Sequence, residues 1–233
     1  VVTEYSVENV FVALVPYIIG SAVVPLQIII GLLFLKSPNR GLLKAIAYVV
    51  GMTITRLFQG LVFGWVLAGS SGTTEEPGGK GAVVSTLLLV LGVLLLITAY
   101  KKWHGEADPD APPPKWFTMI DRATLRTALW IGMGLPLIAA KLWVFTLGAL
   151  ATISMAQLGQ PSSTIAFLLF ILLAESLLIL PIVLCILLPT RSKTILDQVS
   201  AWLDNHNRSI LITVSLVFGL WFLYSGISGL LAG

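Results

Sequence analysis

Three ionisable residues stand inside apolar stretches of this chain. Glu175 lies near the middle of residues 163–188, a stretch long enough to cross a bilayer, and Arg56 and Lys141 are similarly placed in two other stretches. An ionised side chain at that depth costs several kcal/mol unless it is paired or hydrated. These three residues are therefore the first candidates for a functional site that handles a charge.

Polar or helix-breaking residues accompany these charges. A glutamine follows Arg56 by three positions, a serine follows Glu175 directly, and another glutamine comes two positions after a proline in the first stretch. Two cations and one carboxylate leave a surplus positive charge for an anionic substrate, while the carboxylate is also a group that can take up a proton. The candidate substrate-binding residues are Pro25, Gln27, Arg56, Gln59, Lys141, Glu175 and Ser176.

The charged centre has a functional and a purely structural interpretation. In the structural one, Arg56 and Glu175 form a permanent bridge that only fixes helix packing. Either way, an isolated charge at the midplane would be costly, so a carboxylate oxygen of Glu175 is predicted within about 4 Å of Arg56 or Lys141, or one water away. The sequence leaves open which cation is the partner.

The composition indicates the class of protein that must position these residues. The chain is 57% hydrophobic and 11% charged, with a mean hydropathy of +0.95, whereas soluble domains have about 25% charged residues. The net charge of +3 comes mostly from basic residues in short loops, which topology already explains, so no nucleic-acid partner is expected. The sequence predicts an all-α polytopic membrane protein.

Six apolar stretches are separated by segments that hold charges and helix breakers. A spanning helix needs about 20 residues, so six spans is the simplest count: 10–35, 42–68, 83–100, 125–154, 163–188 and 210–231. The segment 101–121 contains Asp108-Pro-Asp-Ala-Pro-Pro-Pro114 and is predicted to be an extended linker. It divides the chain into two three-helix units, 1–100 and 122–233.

The distribution of basic residues predicts the orientation in the membrane. Of the 14 Lys and Arg residues, all but Lys80, Arg56 and Lys141 lie in the loops after the first, third and fifth stretches or within three residues of those loops. The positive-inside rule places those loops in the cytoplasm. Both termini are then expected to face away from the cytoplasm.

This orientation gives a labelling prediction. A cysteine in place of Gly79 is expected to react with an impermeant maleimide in intact cells, because residues 70–81 would face outward. A cysteine in place of Ala111 is expected to stay unlabelled until the membrane is opened. The reverse labelling pattern would contradict the predicted orientation.

The first span of each unit is interrupted by Gly and Pro. The first span contains Pro16, Gly20, Pro25 and Gly31, and the fourth contains Gly132, Gly134 and Pro136. Three spans per unit force the units into opposite orientations, and paired broken helices are typical of inverted-repeat transporters with a midplane site. The spacing Gly60-Leu-Val-Phe-Gly64 matches a helix-packing motif, but such matches are common by chance in Gly-rich runs.

The segment 191–207 is too polar to cross the membrane. Its apolar residues recur on one helical face: Ile195, Leu196, Val199, Trp202 and Leu203. This pattern predicts an amphipathic helix along the cytoplasmic interface.

The chain resembles the GAP or Sap family, named for sulfolipid- and peptidoglycolipid-addressing proteins, within the LysE transporter superfamily. The resemblance covers nearly the whole chain and rests on the order of Pro25-Leu26-Gln27-Ile28-Ile29, Leu35-Lys36-Ser37-Pro38-Asn39-Arg40-Gly41, Tyr100-Lys-Lys-Trp103, Pro114-Lys-Trp116 with Asp121, Lys141, Pro181 and Trp202-Leu-Asp-Asn-His-Asn207. It implies six spans in two inverted halves and export of a lipid or small solute by a carrier. Ala139-Ala140-Lys141 departs from the family's usual Asn-Pro-Lys.

Other functional classes are weaker or stay as alternatives. No Ser/His pair, paired Asp or metal motif reaches the apolar centre, and Cys185 is the only cysteine, so we expect no enzyme activity, no catalytic residue, no metal site and no cofactor. A membrane scaffold that assists a lipid-export machine is the main alternative. Expected partners are membrane lipids and the lipid or solute substrate; a second copy of the chain or larger export machinery stays open.

Overall fold

The structure, a computed structural model, consists of α-helices and the turns between them, without a β-strand, in the residues it describes, which are 7–69, 79–104, 120, 123–138 and 140–232. The side chains of some helical residues, Lys141 among them, lie outside this description. The helices are α1 (Val7–Ala22), α2 (Pro25–Lys36), α3 (Gly41–Gly69), α4 (Gly79–His104), α5 (Leu125–Ile138), α6 (Ala140–Met155), α7 (Ser162–Ala174), α8 (Ser176–Leu187) and α9 (Pro189–Ala232). The predicted all-α class is confirmed for this part of the chain, and most of the predicted linker 101–121 lies outside it.

Apolar helices of spanning length support a polytopic membrane protein. Two helical stretches, Gly41–Trp65 in α3 and Asn205–Leu231 in α9, are long and apolar enough to cross a bilayer. Three bent pairs qualify if each is one broken span, which gives up to five spans in the described residues. The predicted third span lies in α4, which is not among these. Six spans and the inverted repeat therefore stay predictions.

Two of the three helix breaks lie where the sequence predicts interruptions. α1 and α2 meet at 57°, and α2 begins at Pro25, whose ring nitrogen cannot donate to the preceding turn. α5 and α6 meet at 70°, and α5 ends two residues after Pro136. Pro16 lies inside α1 without ending it.

The third break was not predicted. α7 and α8 meet at 62° around Glu175, in a stretch where Pro181 was the only obvious helix breaker. Pro181 instead lies inside α8, as membrane helices tolerate proline when neighbouring groups satisfy the freed carbonyl. The ionisable residue, not the proline, marks the bend.

The predicted amphipathic segment 191–207 is helical, but it is not a separate helix. It forms the first part of α9, a helix of 44 residues, since neither Gly nor Pro occurs between Arg191 and Ile210 to end it. At 1.5 Å per residue α9 is about 66 Å long, more than a bilayer requires. A salt bridge of 2.8 Å joins Asp197 to Lys36 at the end of α2.

Glycines bring two pairs of helices into backbone contact. A Cβ on Gly51 of α3 would meet the backbone of α5, and one on Gly132 would meet the carbonyl of Tyr48. Between α4 and α9, a Cβ on Gly92 or Gly226 would likewise meet main-chain atoms. Close contact of this kind is typical of membrane helices, where van der Waals packing drives association.

Helices α1 and α6 pack through a reciprocal contact. The ring of Phe145 covers Gly20, and the ring of Tyr17 covers Gly148. Each helix thus presents an aromatic residue and, three positions later, the glycine that receives the partner's ring. The contact holds the first and fourth predicted spans together beside the polar centre.

Candidate functional site

The polar centre is built on one face of α3. Tyr48, Thr55, Arg56 and Gln59 are all buried, and their spacing places them along the side of α3 that packs against the bent pairs. Arg56 has no exposed surface. An Arg at such a position requires partners from neighbouring helices.

Arg56 contacts two helix breaks at once. Its Nε lies 3.3 Å from Oε1 of Glu175 at the α7–α8 bend, and its Nη2 donates a hydrogen bond of 2.8 Å to the hydroxyl of Ser21, near the α1–α2 bend. The predicted pairing of Glu175 with a membrane-embedded cation is confirmed for Arg56. The predicted role of Lys141 falls on a side chain outside the described residues.

Thr53 completes the surroundings of the carboxylate. Its hydroxyl lies 2.6 Å from Oε2 of Glu175 and 3.0 Å from the carbonyl of Val49. A hydroxyl has a single proton but can accept two hydrogen bonds. When Thr53 donates to Val49, its oxygen is free to accept a hydrogen bond from a protonated Glu175.

Gln27 serves the break between α1 and α2. Its Nε2 donates to the carbonyl oxygens of Ser21, at 2.5 Å, and Ala22, at 3.4 Å, which lie in the last turn of α1 and have no intrahelical donor. The hydroxyl of Tyr48 donates to the carbonyl of Gln27 at 3.1 Å. The amide of this predicted substrate-binding residue thus caps a helix end, while its Oε1 has no hydrogen-bond partner among the described residues, and the substrate-binding role stays a prediction.

The end of α5 is held in a similar way. Nε2 of Gln59 donates to the carbonyl of Pro136 at 3.4 Å, and Thr55 donates to the carbonyl of Met133 at 2.9 Å. Trp143 of α6 donates to the carbonyl of Leu137 at 3.0 Å. One helix, α3, therefore supplies polar side chains to all three bends.

The remaining candidates are placed differently. Pro25 is buried as the first residue of α2, where it fixes the start of that helix. The side chain of Ser176 is exposed, so the structure does not bring it into the buried cluster. The contacts of Ser21 and Tyr48 were missed by sequence reasoning, although Tyr48 lies two helical turns from Arg56 on the same face.

Hydrogen-bonding capacity is left over in this cluster. Five buried polar atoms of the cluster have no hydrogen-bond partner among the described residues: Oε1 of Gln27, Nε and Nη1 of Arg56, Oε1 of Gln59 and Oε1 of Glu175. The 3.3 Å contact of Arg56 with Glu175 is an ion-pair distance without hydrogen-bond geometry. Unpaired buried donors and acceptors cost free energy, and each is a group that a polar ligand can satisfy.

Comparison with known proteins identifies a family. A family model described as "Sap, sulfolipid-1-addressing protein" matches residues 14–228, nearly the whole chain. Neither the curated proteins nor the solved structures gave a match.

Proposed function

The chain belongs to the Sap, sulfolipid-1-addressing protein, family, and from this premise we propose that it is a carrier. It exports a lipid or a small solute, including an anionic one, across the cytoplasmic membrane by alternating access. The observation that carries the proposal is Arg56, which contacts the breaks of two bent helix pairs through Ser21 and Glu175. Broken helices that meet at a buried charge are the usual basis of a midplane transport site.

The geometry of the ion pair favours a working site over a permanent staple. Strong structural pairs between Arg and a carboxylate are often bidentate, with two parallel N–H···O bonds. Here Arg56 gives one donor to Ser21, approaches Glu175 through Nε alone, and leaves Nη1 without a partner in the described residues. Because Arg56 keeps a free donor while its charge is balanced by Glu175, the guanidinium can exchange Glu175 for a substrate anion.

The two charges have separate tasks in this mechanism. Arg56, assisted by Lys141, attracts an anionic headgroup or carboxylate, and Gln59 offers its unpaired Oε1 as an acceptor. Glu175 takes up a proton and then donates a hydrogen bond to the hydroxyl of Thr53, which in turn donates to the carbonyl of Val49. Neutral Glu175 releases Arg56, and the bends at Ser21 and Glu175 are then free to shift.

Lys141 provides the test of the carrier. In reconstituted vesicles, Lys141→Ala is expected to abolish transport of the substrate while folding is retained, because the attraction for an anion is lost. Lys141→Arg is expected to keep partial transport, since the charge survives and only its geometry changes. Full transport by a well-folded Lys141→Ala protein would count against the carrier.

A scaffold for a lipid-export machine is the second candidate function. The contacts that favour it lie on the predicted cytoplasmic side, where Arg208 donates to the carbonyls of Lys102 and Trp103 at 3.0 and 2.8 Å. These bonds attach α9 to the end of α4 next to the predicted linker 101–121. A scaffold would tolerate changes at Lys141 and Glu175 and would lose function when this basic surface is altered.

A further inference from the structure

A groove lies apart from the polar cluster, between α3, α6 and α7. Its volume is about 610 Å³, within the range of about 300–1,000 Å³ for small-molecule sites. It extends from Leu57, the residue after Arg56, to Trp65 near the end of α3. Leu61 and Trp65 on its rim are 74% and 79% exposed, so the groove opens sideways toward the bilayer.

The lining changes character along the groove. Near the bundle centre the walls are apolar, with Leu57, Leu150 and Phe167. Toward the end where α6 stops and α7 begins they become polar, with Ser154, Gln160 and Thr164, and the groove-lining residues include no charged side chain. The polar end faces away from the cytoplasm in the predicted orientation.

We propose that this groove binds one acyl chain of a membrane lipid. The chain enters sideways, its ester end meets the hydroxyl and amide groups around Gln160, and its tail points toward Leu57. The polarity gradient matches that of a lipid in the outer leaflet, and an apolar volume of this size is poorly suited to water. A small anion would find no cation in this lining.

The proposal rests on the proposed function with a lipid, rather than a small solute, as the substrate. The groove ends at Leu57, one residue from Arg56. A lipid in the groove would therefore have its tail at the level of Arg56 along α3, on another face of that helix. A lateral groove lets a chain stay in an apolar environment while a headgroup moves, which a closed central cavity would not allow.

Gly64 offers a clean way to fill the groove. A Cβ at Gly64 would meet no atom within 4 Å, so a larger residue projects into the groove without displacing the core. A Cβ at Gly60 would meet the ring of Phe167, which makes that position unsuitable. Both Gly60 and Gly64 line the groove. No neighbouring helix in the described part of the chain packs against Gly64, so the groove accounts for that glycine without a helix-packing motif.

The matched control is Gly134 in α5. It is also a helical glycine with no atom within 4 Å of a Cβ, and it does not line the groove. Gly134→Leu therefore adds the same side chain elsewhere on the protein. Leu168→Trp, at a half-exposed wall residue, serves as a second filling variant if Gly64→Leu does not fold.

The experiment uses the full chain in nanodiscs of phosphatidylglycerol and phosphatidylcholine that contain a phospholipid with a diazirine at the end of one acyl chain. After illumination, mass spectrometry is expected to locate the label at the apolar end of the groove, on residues 57–61 and around Phe167. Gly64→Leu is expected to lower this labelling about fivefold or more relative to the label around exposed Leu180. Gly134→Leu should label as the wild type does.

Each other outcome has a defined meaning. Unchanged groove labelling in both filling variants overturns the proposal, and so does a filling variant that alters only the oligomeric mass, which would assign the groove to a second copy of the chain. Normal lipid transport by Gly64→Leu, with transport lost in Lys141→Ala, rejects the groove and keeps the carrier. Groove labelling without transport by the wild type rejects the carrier and keeps the groove.

Discussion

Replacement of Arg56 by leucine is expected to destabilise the protein by about 3–5 kcal/mol, because it leaves a buried carboxylate without its counter-charge. Glu175 is 2% exposed and has Thr53 as its other close polar partner. Glu175→Leu should lower the stability by a similar amount, since it leaves the buried guanidinium of Arg56 without its counter-charge. Unfolding of the purified protein in mixed micelles, followed by helical circular dichroism, measures both changes.

The double variant Arg56→Leu/Glu175→Leu tests whether the loss comes from the pair. Replacement of a whole buried ion pair by apolar residues is often neutral or stabilising, so the double variant should recover most of the stability lost by either single variant. The difference between the stability loss of the double variant and the sum of the two single losses is the coupling energy of the pair. Additive losses would mean that the two side chains act independently and that the 3.3 Å contact is not a pair of energetic importance.

The same double variant is expected to lose transport while it folds. A carrier whose charged centre binds substrate and links two helix bends cannot work with leucine at both positions, and we expect a fall in transport rate of about 100-fold, near the upper range of coupling between sites. Substrate uptake into reconstituted vesicles, at equal protein content, measures it. A permanent staple predicts the opposite result, a folded and fully active double variant.

The matched control removes an ion pair outside the apolar centre. Lys36 and Asp197 are 2.8 Å apart, with side chains 29% and 70% exposed. Exposed pairs of this kind contribute about 0–1 kcal/mol. Lys36→Ala/Asp197→Ala should therefore change stability little and leave transport intact, which separates loss of the central pair from loss of any ion pair.

The central ion pair was predictable because the sequence alone shows that two charged residues lie within apolar stretches, where an unpaired charge costs free energy. An Arg and a Glu within apolar stretches cannot both remain unpaired in a bilayer, so two residue types and their depths are enough to predict a contact. The identity of the partner was not predictable. It depends on which helices pack together, and the contact between α3 and the α7–α8 bend follows from tertiary packing.

The bend at Glu175 and the capping role of Gln27 were harder to predict. Proline was the stronger sequence signal for a bend, yet Pro181 lies within a continuous helix, because neighbours decide whether a freed carbonyl is satisfied. Gln27 looked like a ligand-binding side chain, but the unpaired carbonyls of Ser21 and Ala22 engage its amide. Sequence patterns identify polar residues and leave their partners to the fold.

The continuity of α9 shows a further limit. The periodic apolar residues of 191–207 predicted an amphipathic helix, and Leu196 and Leu203 are buried as its apolar face requires, while its place at the membrane interface stays a prediction. A helix boundary between it and the last span was wrong, since a change in hydropathy does not interrupt backbone hydrogen bonds. Helices end more readily where a backbone donor is missing or where a residue adopts a positive φ.

The glycine contacts between α4 and α9 have a consequence for the order in which parts of the protein loosen. Main-chain atoms that touch at Gly92 and Gly226 have no side chain that can change rotamer to let the helices slide, so this pair separates as a unit or not at all. The bent helices around α3 have interrupted backbone ladders and open locally at lower free energy. Amide protons of the α4–α9 pair would then exchange only when the whole protein unfolds, while those at the bends exchange from the native state.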